Sequence, residues 1–188
     1  MQNIIRGLND EASKLETASK EELEKAIVTG KYYVDGEKLT ITAGDVKTKI
    51  NKVLEQLVGQ VYKDLQLVTK NADTDEDVKK VLRGDIQVDV FGKQENCEAA
   101  AKIAEYLQMQ DNKRIAVSMA DIQSRYQAKP YGWKEIDIAA VVAMLIFQQK
   151  VTLKYMGETV QPNNPKLPEL LRKRTEVGKV QISIRKSP

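Results

Sequence analysis

The chain has 188 residues, 30 of them Lys or Arg and 27 Asp or Glu, for a net charge of +3. That balance does not by itself announce a nucleic-acid or membrane partner, and 41% apolar with 30% charged residues is the composition of a folded globule rather than a disordered chain. There is no histidine and a single cysteine, Cys97, which excludes imidazole acid–base catalysis, Ser-His and Cys-His nucleophile systems, imidazole metal sites and an intramolecular disulfide.

No secretory signal fits the start, where polar Asn9, Asp10 and Glu11 follow a short stretch. Ser19 and Glu22 form an S-x-x-E capping signature and predict a helix beginning at Ser19, with Leu23, Ala26 and Ile27 as its apolar stripe and Gly30 as its stop. Asp35-Gly36 between two apolar triplets predicts a small hairpin. Val46, Ile50, Val53, Leu54, Leu57, Val58, Val61, Tyr62 and Leu65 then recur at helical spacing, with Lys47, Lys49, Lys52, Glu55 and Lys63 on the other face and Thr42 and Asp45 as caps. A short helix is predicted from Thr74 to Leu82, stopping at Gly84. Asp85 to Gly92 alternates as a strand or an extended linker, and a domain boundary is placed near residue 92. This divides the chain into a helical domain with a small hairpin, 1–92, and a second domain, 93–188.

The second half is more specific in its order. Helices are predicted over about 95–109, over Met119–Tyr126 capped by Ser118 and Asp121, and over about 134–149, the last two separated by the breaker Lys129-Pro130-Tyr131-Gly132-Trp133. Val151–Tyr155, a turn at Met156-Gly157 and Glu158–Val160 form a hairpin, and Val180–Arg185 alternates as a terminal strand that could pair with it. A helix from Leu167 to Arg174 lies between. The fold class is mainly α with small β: a helical N-terminal part, then a winged helix of three helices plus a β-hairpin wing, then a C-terminal strand.

Chemistry-bearing patterns are scarce. Gly30-Lys31, Gly92-Lys93 and Gly178-Lys179 lack the glycine five residues earlier that a phosphate cradle needs, and no G-x-G-x-x-G occurs. Asp73, Asp75, Glu76 and Asp77 cluster without the glycine-centred spacing of a calcium loop, and Cys97 sits between Glu95 and Glu98, which disfavour a thiolate. No catalytic, cofactor or metal site is expected. The third helix, which in a helix-turn-helix enters the major groove, carries one polar residue, Asp137, between Ile136 and Phe147; an all-apolar helix belongs in a core. Lys134, Glu135 and Asp137 at its start are read as exposed and mixed in charge. The longest apolar run, Ile138 to Phe147, is about half the ~20 residues needed to span a bilayer, and a cytoplasmic protein is expected. Residues 160–188 hold seven basic and two acidic residues. Arg172, Lys173, Arg174, Arg185 and Lys186 are therefore the candidates for contact with a phosphate backbone; the competing reading is a solvated helix face and an edge strand protected by charge.

Lys129-Pro130-Tyr131-Gly132-Trp133, Ile136-Asp137-Ile138-Ala139, Val151–Tyr155 with Gly157-Glu158, and Leu170–Arg174 ahead of Val180-Gln181-Ile182 resemble the region downstream of the ATPase module in the large P-loop proteins of bacteriophage-exclusion (BREX) systems, the BrxC/PglY type. Leu57–Tyr62 is similar to the helix that precedes the winged helix in that family. The resemblance implies a non-catalytic fragment of a multidomain phage-defence ATPase, with a structural role for Pro130, Tyr131, Gly132, Trp133 and Asp137. It implies as partners the other domains of the parent chain and other phage-defence proteins, with non-specific DNA contact and no membrane. The family's ATPase residues have no counterpart here. A stand-alone winged-helix transcriptional regulator is the alternative.

Overall fold

A computed structural model of the protein describes residues 2–34, 36–42, 44–88 and 92–185. Contacts divide the chain into two units, Met1–Val61 and Tyr62–Pro188, so the boundary placed near residue 92 lies inside the second unit.

The first unit comprises α1 (Gln2–Thr29), β1 (Tyr32–Val34), β2 (Glu37–Leu39) and α2 (Val46–Val61). α1 runs straight through Ser19, contrary to the start expected there: the residues before it are helical, so the Ser19 turn has no orphan amides left to cap. Gly30 does end the helix. A Cβ at that position would stand 2.7 Å from the Ala26 carbonyl oxygen, and the Tyr32 hydroxyl donates to the Ile27 carbonyl at 2.8 Å. The hairpin forms as predicted, pairing Tyr32 with Leu39 and Val34 with Glu37. Asp45 Oδ1 accepts from the Thr48 amide at 2.9 Å at the start of α2. Lys49, assigned to the polar face of that helix, is instead buried and donates to the Val28 carbonyl.

The second unit contains α3 (Asp75–Leu82), α4 (Cys97–Asn112), β3 (Val117–Ser118), α5 (Met119–Gln127), α6 (Glu135–Phe147), β4 (Val151–Tyr155), β5 (Glu158–Val160), α7 (Leu167–Arg172) and β6 (Val180–Ile184). α4, α5, α6 and the β4–β5 wing make the winged helix. Leu65–Leu67, read as the end of α2, is a separate 3-10 turn. Val88 makes a single bridge to Gln94; of the expected 85–92 alternation, Ile86 and Gln87 form no strand, and residues 89–91 lie outside the described residues.

The sheet order is β3-β6-β4-β5, antiparallel throughout. β6 pairs with β4 from Val151–Ile184 to Tyr155–Val180 and with β3 on its other side. It is an interior strand, which overturns the edge-strand reading of the tail. Its period-two pattern explains the placement: Val180 and Ile182 are buried beside Val151 and Leu153, while Gln181 and Ser183 face solvent. The core gathers Ile103, Leu107, Met119, Ile122, Ile138, Val141, Val142, Leu145 and Leu171. Among the described residues no helix is long and apolar enough to cross a membrane.

Candidate interaction surfaces of the winged helix

Ser118 and Asp121 start α5 as a reciprocal cap: the Ser118 hydroxyl accepts from the Asp121 amide at 3.2 Å, and the Asp121 carboxylate accepts from the Ser118 amide at 2.8 Å. Near the other end, Tyr126 is buried and donates to the Lys102 carbonyl at 2.7 Å; burial pushes its phenol well above the ordinary value. Trp133 stacks on Tyr126, rings 4.8 Å apart and 10° from parallel, and Tyr131 closes the cluster at 4.6 Å from Tyr126 and 5.1 Å from Trp133. The turn also clamps the start of the unit. Trp133 Nε1 donates to the Asp64 carbonyl at 3.0 Å, the Asp64 amide donates to the Pro130 carbonyl at 3.1 Å, and Gly132, at φ +66°, leaves room for the Tyr62 ring, which a Cβ would meet at 2.6 Å.

Asp137 is not exposed. It is 1% accessible, and its two oxygens accept from the Ala72 amide at 2.7 Å and from Asn71 Nδ2 at 2.9 Å. A buried carboxylate is tolerated because both oxygens are satisfied; the partners lie 65 and 66 residues upstream, where no local pattern announces them. Glu135 is half-buried, and Lys134 is exposed.

Every residue of α6 from Ile136 through Ile146 is buried, enclosed by α3, α4, α5 and α7. The helix that would read a major groove is the centre of the core. Arg172 seals one end of this packing: its Nε donates to Glu135 at 3.1 Å and its Nη1 pairs with Asp75. Desolvation works against the guanidinium's charge, but Asp75 and then Glu135 outweigh it and hold its pKa above the ordinary value. Lys173 donates to Glu169 at 2.7 Å, which raises its pKa, and Arg174 is exposed. Arg185 lies elsewhere, its Nη1 donating to Gln149 at 3.0 Å. Glu135 and Gln149 flank α6, whose 13 residues correspond to roughly 20 Å at ~1.5 Å per residue. Arg172–Arg174 and Arg185 therefore sit toward opposite ends of the unit and do not form one cluster. Lys186 lies outside the described residues.

The other candidates are absorbed locally. Asp77 caps α3: its carboxylate accepts from the Thr74 hydroxyl at 2.9 Å and from the Thr74 amide at 3.0 Å, and these bonds with that of the Asp73 amide pull it down to about 2. Among the described residues no group of three or more Cys, Asp or Glu side chains could hold a metal ion. Cys97 is half-buried and packs against the core. The residues that sequence reasoning passes over are Lys150 and Lys154. The alternation of β4 that identifies Val151 and Leu153 as inward also marks Lys154 as outward.

Residues 64–186 match the family model of the BREX ATP-binding protein BrxC winged helix-turn-helix domain, and residues 1–57 match that of the BrxC 4th domain with six-stranded beta sheet. No solved structure matches the chain. The two matches meet where the contacts divide it, and neither matched domain is an ATPase module. Since the winged-helix match alone spans well over half of the residues and carries the turn, helices and wing described above, the chain belongs to the BrxC family and forms part of a BREX phage-defence protein.

Proposed function

We propose that this stretch is a non-catalytic interaction module of its BREX protein, holding other domains of the parent chain or other phage-defence proteins, and that any contact it makes with nucleic acid does not use α6. The observation that carries this reading is the burial of α6 from Ile136 through Ile146. A recognition helix places polar side chains on base edges; here the corresponding positions are apolar and covered, and the polar exception, Asp137, is spent on Ala72 and Asn71. The absence of a glycine-rich phosphate cradle from the sequence supports a role without nucleotide chemistry.

The test is gel filtration of this chain with the separately produced ATPase part of a BrxC protein, alongside fluorescence anisotropy on two unrelated duplexes. Co-elution as a complex, with no sequence preference between the duplexes, is the expected result. Failure to co-elute overturns the interaction with the ATPase part of the parent chain. Sequence-selective binding that survives physiological salt and is lost in Lys134→Glu would restore α6 to the groove.

A further inference from the structure

We infer that the solvent face of the β3-β6-β4-β5 sheet is a contact surface for the phosphate backbone of duplex nucleic acid. This rests on the reading of α6 as a packing element, which removes the usual groove-reading helix; the sheet is an exposed polar surface that remains.

The register builds the face. Lys154 stands between Gln181 on β6 and Thr159 on β5, and Thr152 stands opposite Ser183. Side chains directly opposite on antiparallel strands share a face about 5 Å apart. Lys154, Thr159, Gln181 and Ser183 are exposed and Thr152 half-buried, while the alternate positions Val151, Leu153, Val180 and Ile182 point into the core. At one end Arg185 and Lys150 meet, both exposed, the Arg185 amide donating to the Lys150 carbonyl at 2.9 Å.

The chemistry of this face is cationic and hydrogen-bonding: three basic residues, three hydroxyls and an amide. These are the residue types that bind phosphate oxygens without reading bases. Carboxylates border this face: Glu105 shares a surface cleft with Lys150, and Asp111 shares one with Ser183. Asp121 lies at the β3 edge, engaged with Ser118. Glu158 is opposite Tyr155, on the other face, where Glu176 accepts from the Tyr155 hydroxyl at 2.5 Å.

Two features favour a duplex over a single strand. Lys154 is opposite Gln181, four positions along β6 from Arg185, a span of about 13 Å at ~3.3 Å per residue, close to the ~12 Å width of a major groove. The two ends of the face can thus reach the phosphates on both edges of one groove. The face also carries no aromatic side chain: Tyr155, the wing's aromatic residue, belongs to the opposite side. It offers no platform for the base stacking that single-strand binders use.

The experiment is fluorescence anisotropy of residues 1–188 on two unrelated duplexes and on a matching single strand. Three neutralised phosphates predict a loss of affinity of about 40-fold between about 50 and 200 mM salt, equal for both duplexes. Lys150→Glu with Lys154→Glu and Arg185→Glu should weaken duplex binding by at least about tenfold, while the same charge change in Lys63→Glu, Lys70→Glu and Lys134→Glu should change it by less than about threefold. Should the triple reversal unfold the protein, the milder Lys154→Gln with Arg185→Gln should lower the salt slope by roughly 1.8. Unchanged binding in the sheet variants, tighter binding to the single strand, or no duplex binding at low salt overturns the proposal. The first two outcomes leave the reading of α6 untouched, whereas selectivity dependent on Lys134 overturns that reading itself.

Discussion

Residues 1–61 and 62–188 both contain helices with regular apolar spacing, yet they use it differently. In the first unit Ile50, Leu54, Leu57 and Val58 on α2 and Ile4, Leu8, Leu15 and Leu23 on α1 all remain exposed, and Val34 is the one buried apolar side chain among its described residues. In the second, α6 is enclosed by four helices, and Ile138, Val141, Val142 and Leu145 have no accessible surface. An apolar stripe defines a face that can be buried; burial itself needs elements arriving from several directions, which α3, α4, α5 and α7 supply around α6 and which a helix pair with a two-stranded hairpin does not.

The largest effect that would break this contrast is at Val142. Val142→Asp places an unpaired charge at a site with no accessible surface and should destabilise the second unit by about 4 kcal/mol or more. Leu54→Asp, at a half-exposed site of α2, should stay within about 0.5 kcal/mol. Trp133 is the sole tryptophan and lies in the second unit, so its fluorescence during denaturant unfolding follows that unit, while helical circular dichroism also follows α1 and α2 of the first. Equal effects of the two substitutions would erase the distinction.

A smaller effect is expected at Asp137. Asp137→Ala leaves the buried Ala72 amide and Asn71 without their acceptor, a cost of about 2–3 kcal/mol. Hydrogen exchange at the Ala72 amide should accelerate together with the loss of stability. An unchanged midpoint would show that residues 71–72 are held by something other than this carboxylate.

The smallest effect compares the two helix caps. Asp77 is held at about 2 from its ordinary 3.8, first by the Thr74 hydroxyl and then by the Asp73 and Thr74 amides. Asp45 in the first unit is lowered as well, chiefly by the Thr48 amide. A depressed carboxylate binds its proton more weakly folded than unfolded, so its contribution is complete above the ordinary carboxylate pKa and fades as pH falls through the folded value. Carboxyl chemical-shift titration should place the Asp77 midpoint near 2, and Thr74→Ala should move it up toward 3.8 while leaving Asp45 unaffected. A midpoint that does not move in the variant would remove the hydroxyl as the cause.

Much of the second unit could be read locally. The Ser118–Asp121 cap, the break at Pro130 and Gly132, the wing and the continuous apolar run of α6 each depend on neighbours within a few positions. Two-residue β3 could not be read, because it exists only as a partner for β6. The signature at Ser19 misleads for the opposite reason: its residue types suit a cap, but whether a turn has free amides depends on what precedes it. Periodicity misplaces Lys49 because its partner, the Val28 carbonyl, lies on another helix.

The candidate surfaces divide along the same line. Their residue types were visible in the basic tail, but their grouping was not: adjacency made Arg172–Arg174 and Arg185 one candidate, whereas Arg172 is spent on Asp75, 97 residues away, and Arg185 joins Lys150 across the β4–β6 ladder. What sequence alone determined was the order of elements in the second unit, the apolar character of α6 and the absence of a phosphate cradle, since periodicity and motif spacing are short-range properties of a chain. Only the tertiary structure decided that β6 is interior, that Asp137 is buried and that Lys150, Lys154 and Arg185 gather on the outer face of the sheet. Each of those depends on which distant segments meet, and strand register and packing set that together.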